Sequence, residues 1–415
     1  MHWQASLFGW WCFISGCAGR SADRALPAAP PPSAARPGIE VLVSDSLHLV
    51  AGRHVGLVTN QSGVDSHGVR DVERLRASGV ALVALFSPEH GFPGVAAPGA
   101  AVASTIDSAT GLPIYSLYGR NWSPTDSMLA GIDLLLVDLQ DAGARYFTYL
   151  YTTVEVMRAA GRRGIPVIVL DRPDPIGGLV QGNVLDTSHA SPVGMLAIPM
   201  RHGMTLGELA LLARSDLAIE VDLRVVPVAQ WRRTEDWRQT GLPFIPPSPN
   251  LRTIESLYHY PGLCLFEGTA LSVGRGSDAP FEQVGAPWLD TVTVLARLRE
   301  SGLEGVAFRG VAFTPHDPGD GKYADTLVAG IRLQVTDRGR YDPTRTAVTL
   351  LAILQSVDPG HLGWSPARFD RLAGGPSLRT AIVAGQAPSV IVGGWLEPRA
   401  AFESRRRPFL LYPAD

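Results

Sequence analysis

Long apolar runs separated by helical patterns and closed by short polar clusters dominate the first half of the chain. His54 to Thr59, Val80 to Phe86, Ile132 to Val137 and Ile165 to Leu170 are runs without strict apolar/polar alternation, as in strands covered on both faces. Between them, Val69 to Ser78 places Val69, Val72 and Leu75 on one helical face. Tyr151 to Arg163 repeats Val154, Met157 and Ala160 at helical spacing, and Gly164 stops it. Strands alternating with helices predict a parallel sheet with helices on both faces. Further on, Met204 to Ser215 reads as a helix, with Thr205 and Glu208 at capping-box spacing, which makes Glu208 a cap. Leu223 to Ala229 reads as a strand. From about Pro287 onward, Val306 to Phe313 and Leu327 to Val335 are strand candidates, and Thr344 to Val357 is a helix opened by Pro343 and ended before Pro359. That last third reads as the core of a second α/β domain. A chain of 415 residues is long enough for two domains, expected here at 38–220 and 221–415.

The four early strands end in polar clusters: Asn60-Gln61-Ser62-Gly63, Ser87-Pro88-Glu89-His90-Gly91-Phe92, Asp138-Leu139-Gln140-Asp141, and Asp171-Arg172-Pro173-Asp174-Pro175. In open α/β sheets, ligands bind just outside the carboxyl ends of the strands. Pro88 and Gly91 break regular structure directly after the second strand. Glu89 therefore stands at a site edge and is the candidate for the chemistry. Two later stretches belong with it. Gly241 to Asn250, with Pro243, Pro246, Pro247 and Pro249, suits neither a helix nor a central strand and either lines a cleft or crosses between domains. Gly274-Arg275-Gly276 puts an arginine between residues that allow close backbone approach to an anionic group.

Composition narrows the function classes. The chain is 46% hydrophobic and 18% charged, with a formal net charge of -3, which argues against a nucleic-acid partner. Lys322 is the only lysine; Gly319 lies three residues before it and Tyr323 follows, so neither a Ser-x-x-Lys acylation site nor a Walker A loop is present. No G-x-G-x-x-G follows the first strand, so no dinucleotide cofactor is expected; G-x-S-x-G and H-E-x-x-H are absent, and the spacing of His90, His202 and His316 supports no zinc site. Cys264 sits between apolar residues and reads as a buried, inert thiol. The apolar run Leu7 to Ser15 followed by Gly16-Cys17-Ala18-Gly19 resembles a bacterial lipoprotein signal over residues 1–17, with Cys17 lipidated. The Ala/Pro-rich stretch over 18–37 then reads as a tether, and the protein as exported and membrane-anchored, periplasmic or on the cell surface, touching the membrane only through that lipid.

Taken in order, these clusters together with Tyr115-Ser116-Leu117-Tyr118-Gly119, Gly143-Ala144-Arg145, Arg201-His202-Gly203-Met204-Thr205, Pro247-Ser248-Pro249-Asn250 and Phe266-Glu267-Gly268-Thr269 resemble the NamZ family of exo-β-N-acetylmuramidases, from about Gly38 to Pro413. The resemblance implies a Rossmann-like N-terminal domain, a smaller α/β C-terminal domain and a cleft between them. It implies release of terminal N-acetylmuramic acid from the non-reducing end of peptidoglycan fragments, with Glu89 as the catalytic glutamate and no cofactor. The chain departs from the family pattern at Ala270, where asparagine is expected, at Ser277-Asp278, where threonines are expected, and at Asp174, where asparagine is expected.

Glycoside hydrolysis needs an acid to protonate the leaving oxygen, usually with a second carboxylate. Desolvation beside buried strand ends would help Glu89 keep that proton. Asp138, Asp141, Asp171, Glu267 and Glu282 are candidate partners, with Asp141 and Glu267 foremost. Arg145, Arg172 and Arg275 are candidates for the lactyl carboxylate of the sugar, Arg275 being favoured. Asn60, His90, Asp138, Gln140, Tyr149, Asp171, His202, Asn250 and Glu282 complete the expected substrate-binding set. Two other readings compete: a non-catalytic, surface-tethered sugar- or muropeptide-binding protein, and a metal-dependent amidase acting on the peptide stem.

Overall fold

The computed structural model describes residues 35–414. The expected signal sequence, Cys17 and nearly all of the expected tether lie outside the described residues. The last tether residues belong to the fold: the Ala35 N–H donates to Thr240 O, and Arg36 and Ala229 form an antiparallel bridge. Helix α1 (Gly38–Asp45) follows at once.

Strands β1 (His54–Thr59), β2 (Ala81–Ser87), β3 (Thr105–Ile106), β4 (Pro113–Ser116), β5 (Leu134–Asp138) and β6 (Val167–Leu170) enter one sheet. Past a small antiparallel ribbon of β7 (Gln181–Val184) and β8 (Pro199–Arg201), β9 (Leu223–Val226) completes it in the order β3-β4-β2-β1-β5-β6-β9. All pairings are parallel except β3 with β4. The sheet therefore runs past the expected boundary at 220/221, because β9 pairs with β6 from Leu223 to Val226.

Alternate residues of the buried strands feed two cores, which is why the runs are continuously apolar. Leu134, Leu136, Ile168 and Leu170 pack with Ile39 and Leu42 of α1 and Val72 and Leu75 of α2 (Asp71–Ala77). Leu135, Val137, Val167 and Val169 pack with Met157 of α3 (Tyr149–Arg162) and Leu209 of α4 (Leu206–Asp216). Thr205 and Glu208 form the expected capping box on α4. Helix α2 starts later than expected because Val64 and Arg70 form a bridge that holds Arg70 extended.

The second core continues into the C-terminal half. There α5 (Ile254–Leu263), α6 (Thr291–Glu300) and α7 (Pro343–Val357) pack around an antiparallel sheet of β10 (Gln283–Ala286), β11 (Val306–Phe313) and β12 (Val328–Val335), ordered β10-β12-β11. Four helices close the chain: α8 (Pro366–Ala373), α9 (Ser377–Val383), α10 (Pro388–Gly393) and α11 (Leu396–Arg406). Among the described residues no helix is long and apolar enough to cross a membrane.

Candidate active site

After β2 the chain turns sharply, with His90 at φ 71° and Gly91 at φ 74°. The turn leaves Glu89 buried in the wall of a cavity of about 410 Å³. Glu89 Oε1 accepts from the Gly99 N–H at 2.9 Å, and Oε2 accepts from the Thr148 hydroxyl at 2.7 Å. Thr148 is the residue that precedes α3. Among the described residues no cation pairs with Glu89. Tyr118 stands beside it, and burial, then the neighbouring Glu89 charge and a hydrogen bond to it, push the phenol's pKa up. His90 Nδ1 lies 2.8 Å from Ala96 O, so Nδ1 carries the proton and Nε2 is the acceptor. Burial holds this imidazole below its ordinary pKa, overriding the opposing pull of Glu89, so it is neutral at pH 7.

The C-terminal half supplies the opposite wall. Glu267, in the turn after α5, accepts from Arg275 Nε at 2.9 Å, is also bound by Arg275 Nη2, and accepts from Arg368 at 2.9 Å. Burial pushes the Glu267 carboxyl up, but Arg275 and Arg368 outweigh it and hold the group below the ordinary carboxylate range. Arg275 also lies over the Phe281 ring, 5.0 Å from its centroid. Its flanking glycines do permit a close approach, but of the chain's own backbone: a Cβ on Gly276 would stand 2.4 Å from His316 O, and one on Gly274 2.7 Å from Ala279 O. The cavity is completed by Ser248 and Leu251 of the proline-rich crossing, by Arg371 of α8, and by Gly319 and Asp320 of the β11–β12 loop. Lys322 latches that loop by donating to the Leu271, Phe266 and Glu267 carbonyls at 2.8, 3.3 and 3.3 Å. Burial lowers its pKa to about 8.

Of the residues expected from sequence, Glu89, His90, Glu267 and Arg275 line this cavity. The polar groups that end β1, β5 and β6 satisfy one another instead. Asn60 donates to the Tyr149 hydroxyl at 2.7 Å, and Tyr149 donates to Pro247 O, which ties the sheet edge to the proline-rich crossing. Gln140 donates to the Asp141 and Pro173 carbonyls. Asp138 is in a buried pair with Arg172 at 2.5 Å, and Arg172 also donates to Val64 O. Asp141 accepts from the Gly143 N–H and lies 3.3 Å from His202 Nε2, whose other nitrogen accepts from the Met204 N–H. Asp171 accepts from Thr205, Gly207 and Tyr412, fastening α4 and the C-terminal segment, and burial raises it to about 6.

Arg145 donates to the carbonyls of Asn183, Ile198 and Leu372 and has no carboxylate partner among the described residues. Asn250 is buried between Ser248 and Leu251 without lining the cavity. Glu282 accepts from Thr253, the N-cap of α5, at 2.5 Å. Sequence reasoning missed Thr148, Tyr118, Asp320, Arg368 and Arg371. Only Tyr118 carried a signal, its place in the Tyr115–Gly119 cluster after an unassigned strand.

Comparison with known proteins adds to this geometry. Residues 55–255 match the model for the N-terminal part of the exo-beta-N-acetylmuramidase NamZ, and residues 258–412 the model for its C-terminal part. The chain belongs to the NamZ family. It is 40% identical over 378 residues to the peptidoglycan beta-N-acetylmuramidase NamZ of Bacillus subtilis, covering 90% of this chain and 91% of that protein. Crystal structures of two DUF1343 family proteins of Bacteroides fragilis share the fold. One has a TM-score of 0.84 at 32% identity, covering 91% of this chain and 99% of the other. The second has a TM-score of 0.76 at 31% identity, covering 92% and 100%. The family match spans both walls of the Glu89 cavity, and its join at 255–258 falls at α5, beyond the last strand of the large sheet.

Proposed function

We propose that this NamZ-family chain is an exo-β-N-acetylmuramidase that removes terminal N-acetylmuramic acid from the non-reducing end of peptidoglycan fragments, with Glu89 as its general acid. One observation carries the assignment of the acid. Glu89 is buried in the cavity wall, and the groups that touch it, the Gly99 N–H and the Thr148 and Tyr118 hydroxyls, are all uncharged. The Glu89 proton passes to the glycosidic oxygen as the bond from that oxygen to the anomeric carbon breaks and the leaving sugar departs neutral; water bonds to the anomeric carbon and its released proton balances the one Glu89 gave. Glu267, ionised between two arginines, is suited to fixing the field of the cavity and the position of Arg275 and Arg368 rather than to giving up a proton.

The lactyl carboxylate is best matched by Arg371. It lines the cavity, is exposed, and has no ion pair among the described residues, whereas Arg172 and Arg275 are paired and Arg145 is buried against carbonyls. Turnover of a chromogenic β-N-acetylmuramide, set beside the matching β-N-acetylglucosaminide, tests the reading. Release of chromophore from the first and little from the second is expected. Tight binding of muropeptide with no turnover would establish the binding-protein alternative.

Lipid anchoring at Cys17 rests on the sequence Ile14-Ser15-Gly16-Cys17 and the Ala/Pro-rich stretch behind it. Cys17→Ser should shift the protein from the membrane fraction to a soluble or unprocessed form. Identical fractionation of both, with no lipid on Cys17, would contradict anchoring.

A further inference from the structure

Two of the sequence clusters, Asp171 to Pro175 and Arg201 to Thr205, do not line the Glu89 cavity. They lead instead to a second cavity of about 850 Å³. Its walls are the turn Ile176–Leu179 that follows the first cluster, the 233–239 segment, and the β12–α7 turn from Val335 to Gly339. Arg201 of β8, Tyr258 of α5 and Arg406 of α11 also line it. The lining holds five arginines, Arg201, Arg233, Arg238, Arg338 and Arg406, against two acids, Asp236 and Asp337.

Three of these arginines have carboxylate partners: Arg233 with Glu208, Arg338 with Asp236, and Arg238 with Glu255 at 3.6 Å. Arg201 and Arg406 have none among the described residues. Arg201 is 1% exposed, bonded to Gln181 and Ile176 O, and its Nε is buried without a partner. Arg406 spends its guanidinium on the carbonyls of His202, Gly203 and, at 3.3 Å, Gly178. Burial lowers the pKa of both. Uncompensated charge is costly to bury, and a carboxylate or phosphate forms charge-assisted, often bidentate bonds with guanidinium. The glycines keep the site tight: a Cβ on Gly178 would stand 2.0 Å from Arg233 Cγ. The Tyr258 hydroxyl is a further polar group here with no partner among the described residues.

We propose that this second cavity binds a small polyvalent oxyanion, one carrying two or more carboxylate or phosphate groups, contacted chiefly by Arg406, with Arg338 and Arg238, already paired with Asp236 and Glu255, adding contacts at the rim. Arg201 and Arg233 sit deeper and supply field rather than contacts.

Calorimetric titration of the full chain with inorganic pyrophosphate, and separately with citrate, tests this, each run at several chloride concentrations. The wild type is expected to show one saturable site for at least one probe at millimolar or lower concentration, weakening as chloride rises. Preference for pyrophosphate over citrate would assign the site to phosphates, and the reverse to carboxylates. Arg406→Gln should weaken binding at least ~10-fold and Arg406→Lys should restore part of it. Arg338→Gln, a half-exposed position, repeats the test should Arg406→Gln fail to fold. Glu89→Gln should bind like the wild type. No saturable binding of either probe would overturn the proposal. So would unchanged binding in both Arg406→Gln and Arg338→Gln, or loss in Glu89→Gln alone, which would place the anion in the Glu89 cavity.

Discussion

Two glutamates face one cavity and are held in opposite ways. Glu89, on the N-terminal wall, has an amide and a hydroxyl as partners. Glu267, on the C-terminal wall, has two guanidiniums. Their exposure is the same, 8%, so burial does not distinguish them; the partners do. Neutral donors favour the ionised carboxyl far less than guanidiniums do, whereas two arginines fix it as an anion. On the proposed mechanism, the difference separates the group that moves a proton from the one that holds structure and field.

The largest effect should come from Glu89. Glu89→Gln keeps the shape and both partners within reach but has no proton to give, so turnover should fall ~10²–10⁴-fold with melting temperature little changed. Glu267 should show the inverse weighting. Glu267→Ala leaves Arg275 buried and unpaired, and removing one partner of a buried pair destabilises by about 3–5 kcal/mol, an upper range here because Arg368 is partly exposed. Denaturant unfolding should register that loss. If Glu267→Ala instead melts like the wild type while activity collapses, Glu267 is part of the chemistry and the contrast fails.

A third carboxylate shows what burial does with no guanidinium partner. Among the described residues Asp174 Oδ2 has no hydrogen-bond partner, and it lies 3.9 Å from His202 Nδ1. Burial, opposed by His202, raises its pKa from 3.8 to about 7. The folded chain thus keeps a proton that the unfolded chain has lost between those values. This contribution is therefore lost as pH rises from about 4 to about 7. Asp174→Asn, the residue the family pattern leads one to expect, should flatten that slope and stabilise the protein above pH 7 by ~1–3 kcal/mol. Melting curves across pH 4 to 8 would show it. An unchanged slope would mean that Asp174 is compensated by a group other than His202.

The smallest effect sharpens the C-terminal wall. Arg371→Ala should leave stability alone and narrow the preference for muramide over glucosaminide by ~2- to 5-fold, as for an exposed charge contact. An equal change with Arg275→Ala but none with Arg371→Ala would return the lactyl contact to Arg275.

The large sheet was legible because its strands are buried on both faces, and such runs stand out whatever their neighbours. Glu89 was legible because Pro88 and Gly91 mark the break where a core strand ends. The C-terminal wall was not. Arg368 and Arg371 look like solvated positions on an amphipathic helix, and only the docking of α8 beside Glu267 brings them to the cavity. Asp320 sits in a loop whose course depends on Lys322 reaching three carbonyls some fifty residues earlier in the chain. The polar clusters that end β1, β5 and β6 do not line the cavity. Asp138, Arg172 and Asp171 resemble site residues in sequence, but their partners are each other's loops, because parallel strand ends leave many backbone and side-chain groups to satisfy.

The central claim is that Glu89 delivers the proton to the leaving group, and leaving-group dependence reads it directly. Wild type and Glu89→Gln are compared on the natural disaccharide and on a nitrophenyl β-N-acetylmuramide, with a melting curve for each protein. The account predicts a severe loss on the disaccharide, a much smaller loss on the nitrophenyl substrate, whose oxygen needs little protonation, and matching melting temperatures. Near-wild-type turnover of the disaccharide by Glu89→Gln, or an equal loss on both substrates with a lowered melting temperature, would contradict it.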